Sequence, residues 1–273
     1  MVRAQALNKP IAGGKKAKKS SAAWGKGLVF PLLVIIIWQI VSSSGLVSVT
    51  VLPSPLQIVS TFYQLIISGV LLEHLQISIY RAAAGFLLGG GIALILGFLV
   101  GFSKQFESYL DPTMQMLRTI PSLAVTPLFI LWFGLDELSK ILLIAFASFF
   151  PLYVNTYNGI RSVDMKLFEV AQVLEFSRWK KVTKLILPSA LGHILVGIRL
   201  SLGIAWLSLV VAELMGSSSG VGYMIMDARQ FSQTDKVFVG IIIFGVVGKL
   251  TDSLVRLLEK KLLKWQTNFE GVE

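Results

Sequence analysis

Six apolar runs, nearly free of charge, occupy about 27–47, 82–102, 121–135, 141–157, 190–214 and 237–250. The hydrocarbon core of a bilayer is about 30 Å thick, and a helix needs about 20 apolar residues to cross it. In lipid such a run satisfies its backbone polar groups only as a helix. The pattern therefore predicts an all-α, polytopic membrane protein with six transmembrane helices. Composition agrees: 54% of the 273 residues are hydrophobic and 15% are charged, against about 25% charged in a soluble domain. The third and sixth runs are short. The third is expected to extend back towards Pro112 inside the bundle, and Lys249 in the sixth can reach the headgroups along its own stem.

Orientation follows from the basic residues. A basic tail at 1–26 (Arg3, Lys9, Lys15, Lys16, Lys18, Lys19, Lys26), the 103–120 loop with Lys104 and Arg118, the 158–189 loop and the end of the chain (Arg256, Lys260, Lys261, Lys264) share one side. The poorly basic 48–80, 136–140 and 215–236 segments take the other. Cytoplasmic loops carry the excess of Lys and Arg, so both termini are expected in the cytoplasm. The tail and the run after it resemble a signal peptide. Uncharged sequence continues to Leu52, however, with no small-x-small cleavage site before a polar domain, so 27–47 is read as a retained first span.

Several functions find no support. The chain has no cysteine, hence no disulfide or thiolate, and His74 and His193 lie too far apart for a metal-ligand pair, so no metal site is expected. The net charge of +10 is accounted for by membrane-flanking anchors, and no nucleic-acid-binding module is visible. Membrane lipid, not nucleic acid, is the expected environment. No Walker A pattern occurs, and the 216–222 loop, rich in Gly and Ser, reads as a flexible outer connection. Asp136 and Glu137 read as a solvated turn, and the serines lack a histidine base. No catalytic residue is expected.

Inside the spans, Gly85, Gly89, Ala93, Gly97 and Gly101 recur every fourth residue, a small-residue stripe suited to close helix packing. Arg199 lies about eight residues, or about 12 Å, into the fifth span, on a face with Gly203, Trp206, Val210 and Glu213. Two readings stay open for it: an anchor reaching the interface or a neighbouring element, or a cation facing a transport pathway. Asn155, Thr156, Ser201 and Ser208 can line a pathway or bond their own helix backbone. Pro121, after Arg118, Thr119 and Ile120, interrupts the third span together with Pro127, as a gate would.

The 161–188 segment lies between two long apolar runs and divides into two short amphipathic helices. Leu167, Phe168, Ala171 and Leu174 share a face of the first. Phe176, Trp179, Val182 and Ile186 form a stripe on the second, opposite Lys180, Lys181 and Lys184. A mere connection would be a polar turn, so a docking surface for a soluble partner is expected. The segment resembles the coupling loop of inner-membrane subunits of binding-protein-dependent ABC importers: Glu-Ala-Ala, three residues, Gly, nine residues, Ile-x-Leu-Pro. Glu169, Val170, Ala171, Glu175, Leu185, Leu187 and Pro188 stand at those positions, with Asp164 ahead of them. Val170, Glu175 and Leu185 depart from the pattern. The family's Gly permits a left-handed turn, which costs a residue such as Glu175 about 1 kcal/mol.

Beyond the loop, a core at 78–265 resembles the sulfonate, taurine, nitrate and bicarbonate branch of these permeases, and most of all its aliphatic sulfonate members. The matching blocks are LFILWFGLDELSKI (128–141), FPLYVNTYNGIRSVD (150–164), GIRLSLGIAWLSLVVAEL (197–214) and SSGVGYMIMDARQF (218–231). The resemblance implies a type I ABC importer permease fold in a bacterial inner membrane. It implies no cofactor on this chain, with ATP and Mg²⁺ bound by separate ATPase subunits. It also implies a second permease copy, as a homodimer or pseudo-dimer, and an extracytoplasmic substrate-binding protein. Within this branch taurine, nitrate or bicarbonate are alternative substrates. Outside it, a self-contained secondary transporter would need intramembrane carboxylates, for which Glu213 near the outer rim is poorly placed. A membrane-embedded enzyme would need a polar catalytic cluster, which the sequence lacks.

Overall fold

In a computed structural model, residues 21–263 are described, with side chains from residue 29 onward. Most of the basic tail at 1–26 therefore lies outside the described residues. The chain divides after Leu56 into two units. In the first, helix α1 (Ser21–Ser43) is followed by a segment that folds back on its own end. Trp38 Nε1 donates to Pro53 O at 3.1 Å, Ser42 Oγ to Leu52 O at 2.8 Å, and the Leu56 amide to Gln39 Oε1 at 3.2 Å.

The second unit is built on three helices: α3 (Val70–Phe102), α6 (Glu137–Arg161) and α9 (Leu187–Leu214), with α6 packed against both others. The stripe of small residues on α3 lies against α6. A Cβ on Gly85 would sit 2.5 Å from Ile144, one on Gly97 2.8 Å from Thr156, and one on Gly89 would overlap the Ala145 backbone. Lipid offers no hydrophobic drive between helices, so close backbone approach of this kind supplies the dispersion contacts that hold them. Ala93, Val100, Leu152, Tyr153, Ile160, Ala190 and Ile194 complete the main core.

Around it lie α2 (Pro55–Ile67), α4 (Lys104–Arg118), α5 (Ser122–Phe133), α7 (Met165–Val173), α8 (Arg178–Lys181), α10 (Val221–Gln230) and α11 (Thr234–Leu262). The polar face of α4 is tied to α6: Tyr153 Oη donates to Asp111 at 3.0 Å, Tyr157 Oη to Glu107 at 2.6 Å, and Arg161 pairs with Glu107. Trp206 Nε1 donates to Phe244 O at 2.8 Å and fastens α11 to α9.

Among the described residues, four helices are long and apolar enough to cross a bilayer: Val70–Phe102, Glu137–Arg161, Arg178–Leu214 and Thr234–Leu262. A fifth follows if α4 and α5 count together, although they meet at 99°. The third run is thus sharply bent at its start, not the end of one straight helix. Pro121 is extended at φ −63° and ψ 129°, and a helix rarely runs through the residue before a proline. Among the described residues of α1, the apolar stretch Val29–Ser43 is shorter than a full crossing.

Other boundaries also move. The second span begins at Val70, ahead of the expected 78 or 82, because Glu73, His74 and Arg81 belong to the helix rather than to a loop. The second amphipathic helix of 161–188 is not a separate element. It runs through a π-helical turn, Val182–Ile186, straight into α9. Pro188 has no amide hydrogen, so the ladder cannot continue normally there, and the Leu187 N–H instead reaches back five residues to Val182 O.

Candidate functional site

The loop end of the molecule is shaped by caps. Asp164 accepts a hydrogen bond from the Lys166 amide at 2.9 Å and starts α7. At the other end Glu175 is left-handed, with φ 52°. The Phe176 amide bonds Ala171 O at 2.9 Å and the Glu175 amide bonds Gln172 O at 3.0 Å, the paired closure of a Schellman turn. The departure from Gly at 175 has therefore not changed the turn.

Faces of the loop differ from those read in the sequence. Ala171 is buried, and Phe168, Val182 and Leu185 pack on the core. Leu167 and Leu174, expected beside Phe168, are exposed, as are Met165, Val170 and Val173, the last at 83%. Trp179, read into one apolar stripe with Phe176, Val182 and Ile186, is 75% exposed while Ile186 is buried. Helical rotation explains part of this: once Phe168 and Ala171 turn inward, positions 169, 170 and 173 turn out. Glu169 shares that outward surface, while Leu187 and Pro188 are partly covered where the loop joins α9.

At the opposite end sits a polar cluster that the sequence reading missed. Arg81 is fully buried, and all five guanidinium N–H groups are used. Nε and Nη2 grip Glu137 at 2.6 Å each, Nη1 reaches Glu213 at 2.8 Å and Ser219 O at 2.7 Å, and Nη2 also reaches Ser219 Oγ at 2.9 Å. Ser78 Oγ donates to Glu213 at 2.7 Å, and the Val221 amide donates to Ser78 Oγ at 2.9 Å. The Gly222 amide closes on Glu213 Oε2 at 2.7 Å. A Cβ at Gly220 or Gly222 would strike Glu213, so only glycine lets the backbone come this near.

Two expectations are corrected here, and Glu213 gains a partner that the sequence did not show. Glu137 is a partner of Arg81 rather than a solvated turn residue. The 216–222 loop is bonded down rather than a loose connection. Glu213 is 1% exposed and charge-paired. The usable signal was Arg81 itself, a cation at the poorly basic end, where the Lys/Arg distribution gives it no role as an anchor.

Two clefts flank α9. One, of about 520 Å³, is lined by Arg199, Trp206, Phe244, Gly248, Asp252 and others. Arg199 donates to Glu259 Oε2 at 3.2 Å, so its charge is met by a carboxylate of α11. The other, of about 420 Å³, lies where α5 begins, between Arg118, Ser122, Phe146, Phe150, Asn155, Leu200 and Ile204. Of the expected pathway residues, the structure brings Asn155 to this cleft beside the break at Pro121, while Arg199 and Trp206 share the first. Ser201 reaches neither: it is fully buried and bonds Ser148 O across the α6–α9 contact. Among the described residues no cluster of three or more His, Cys, Asp or Glu could hold a metal ion.

A family model described as binding-protein-dependent transport system inner membrane component matches residues 89–264. The chain belongs to this family. A Bacillus subtilis (strain 168) relative, named as an aliphatic sulfonates transport permease protein, is 69% identical over 94% of this chain and 93% of its own. An Escherichia coli (strain K12) relative of the same name is 47% identical over 86% of this chain and 89% of its own. In fold the chain is similar to a solved structure of the MetNI methionine ABC transporter, with TM-score 0.63, 13% identity, and coverage of 72% of this chain and 97% of that one. The protein is thus a multi-pass permease subunit of an ABC importer that works with a binding protein and an ATPase. It is a transport component rather than an enzyme, with ATP hydrolysis on a separate chain.

Proposed function

We propose that this permease imports aliphatic sulfonates across a bacterial plasma membrane, as a homodimer with both termini in the cytoplasm. The 69% identity to a relative named for these substrates, over nearly the full length of both chains, carries the reading. An extracytoplasmic binding protein delivers the anion, and two ATPase subunits bind ATP and Mg²⁺.

The 161–188 loop docks on the ATPase, its residues Asp164, Glu169, Ala171, Glu175, Leu187 and Pro188 forming the coupling segment. Exposed Met165, Val170 and Val173 beside Glu169 support this, since such an apolar surface on a charged loop suits a protein groove. The continuous helix Arg178–Leu214 supports the coupling role too. It begins in the loop and ends at Leu214, next to Glu213, so a displacement imposed by ATP-driven closure reaches the far end through one rigid element.

The test is ATP-dependent uptake of radiolabelled alkanesulfonate by the complex in proteoliposomes. Uptake that stops when the ATPase is omitted is expected. Uptake of nitrate or bicarbonate without alkanesulfonate would overturn the substrate reading.

A further inference from the structure

We infer that the 420 Å³ cleft at the α4–α5 break is a binding site for an amphiphilic anion: a sulfonate head on Arg118, Asn155 and Ser122, and an alkyl tail along Phe146, Phe150, Leu200 and Ile204. The inference rests on the substrate reading above and adds where, and by which groups, the permease itself holds the substrate.

The charge pattern comes first. Arg81, Arg161, Arg199 and Arg256 all have carboxylate partners. The Arg118 guanidinium lines this cleft with no hydrogen bond or ion pair to a described residue. No Asp or Glu lines the cleft, whereas the 520 Å³ cleft contains Asp252, and its Arg199 is already engaged by Glu259. Of these two arginine-lined clefts, the smaller is therefore the one in which an anion is unopposed. A planar guanidinium can donate to two oxygens of a sulfonate at once.

Asn155 adds a second donor. Its Nδ2 gives one N–H to Pro151 O at 2.8 Å, which leaves the other for a ligand. The remaining lining is two phenylalanine rings and aliphatic side chains, a wall for CH₂ groups and not for an inorganic anion. The volume falls in the range of ordinary small-molecule sites, about 300–1,000 Å³. An ammonium group on the tail would find no carboxylate, so the site favours plain alkanesulfonates over amino-substituted ones.

The test uses the complete transporter in proteoliposomes, with the binding protein saturated by each probe so that delivery is constant. Arg118→Gln should lower ethanesulfonate uptake at least tenfold, and Arg118→Lys, which keeps the charge without the fork, should fall between. Ile204→Trp narrows the tail wall and should reduce octanesulfonate uptake at least fivefold more than ethanesulfonate uptake. Co-purification of the ATPase reports assembly. If Arg118→Gln does not assemble, the chain-length ratio of Ile204→Trp decides alone. Wild-type uptake by Arg118→Gln, or an equal effect of Ile204→Trp on both probes, overturns the site. Absence of any alkanesulfonate uptake by the unmodified complex instead overturns the substrate reading beneath it.

Discussion

Glu175 holds a backbone conformation that an L-residue adopts at a cost of about 1–2 kcal/mol. The turn persists because two hydrogen bonds close it and Ala171 is buried beneath it. Removing the Cβ relieves the strain, although glycine also gains freedom in the unfolded chain. Glu175→Gly should thus stabilise the loop by about 0.5–1 kcal/mol. Slower amide exchange over 174–177 is the expected readout, and faster exchange would count against the left-handed turn. Arg81 makes the opposite case, since no other side chain replaces five donors in one plane. Arg81→Lys strands part of the Glu137 and Glu213 charge, and breaking a buried pair costs about 3–5 kcal/mol. Glu137 is half exposed, so the lower end of that range applies. Thermal unfolding in detergent should show the loss, and an unchanged midpoint would remove the clamp.

Between elements, α3 and α6 meet through glycines that are not equivalent. A Cβ on Gly89 overlaps the Ala145 backbone, which cannot rotate aside, while one on Gly91 meets nothing within 4 Å. Gly89→Ala should therefore push the helices apart and destabilise by about 1–3 kcal/mol, the usual cost of overpacking. Gly91→Ala should stabilise by up to about 1 kcal/mol through helix propensity alone. Unfolding midpoints of the two variants in the same detergent should move in opposite directions. Equal shifts would mean that the stripe does not set the approach of α3 to α6. The π-helical turn before Pro188 lets one helix carry a proline and still run unbroken from loop to core.

For the whole molecule, the loop end and the clamped end are joined by α9, and under the proposed coupling role the exposed face of α7 is where the ATPase would push. Glu169→Lys reverses a charge on that face without touching the buried Phe168 and Ala171. It should reduce co-purification of the ATPase or uncouple ATP hydrolysis from uptake, while the permease unfolds at the wild-type temperature. Wild-type yield of the ATPase together with unaltered transport would remove Glu169 from the docking surface.

By itself the sequence determined the class of fold, because lipid leaves a long uncharged run no alternative to a helix. It also marked out the amphipathic 161–188 loop, whose spacing is local, and the packing stripe on α3, which repeats with the helical turn. Only the tertiary structure decided which polar groups meet. Arg81 is 56 residues from Glu137 and 132 from Glu213, and no local pattern records a pairing over such separations. It also decided that Leu167, Leu174 and Trp179 face outward, since amphipathic spacing defines a stripe but not the rotation of a helix against its neighbours. The fates of Arg199 and Arg118 have the same origin. Both are single cations beside apolar runs, and the register of α11 on α9 gives Glu259 to the first, while the break before Pro121 leaves the second at an open cleft without a carboxylate.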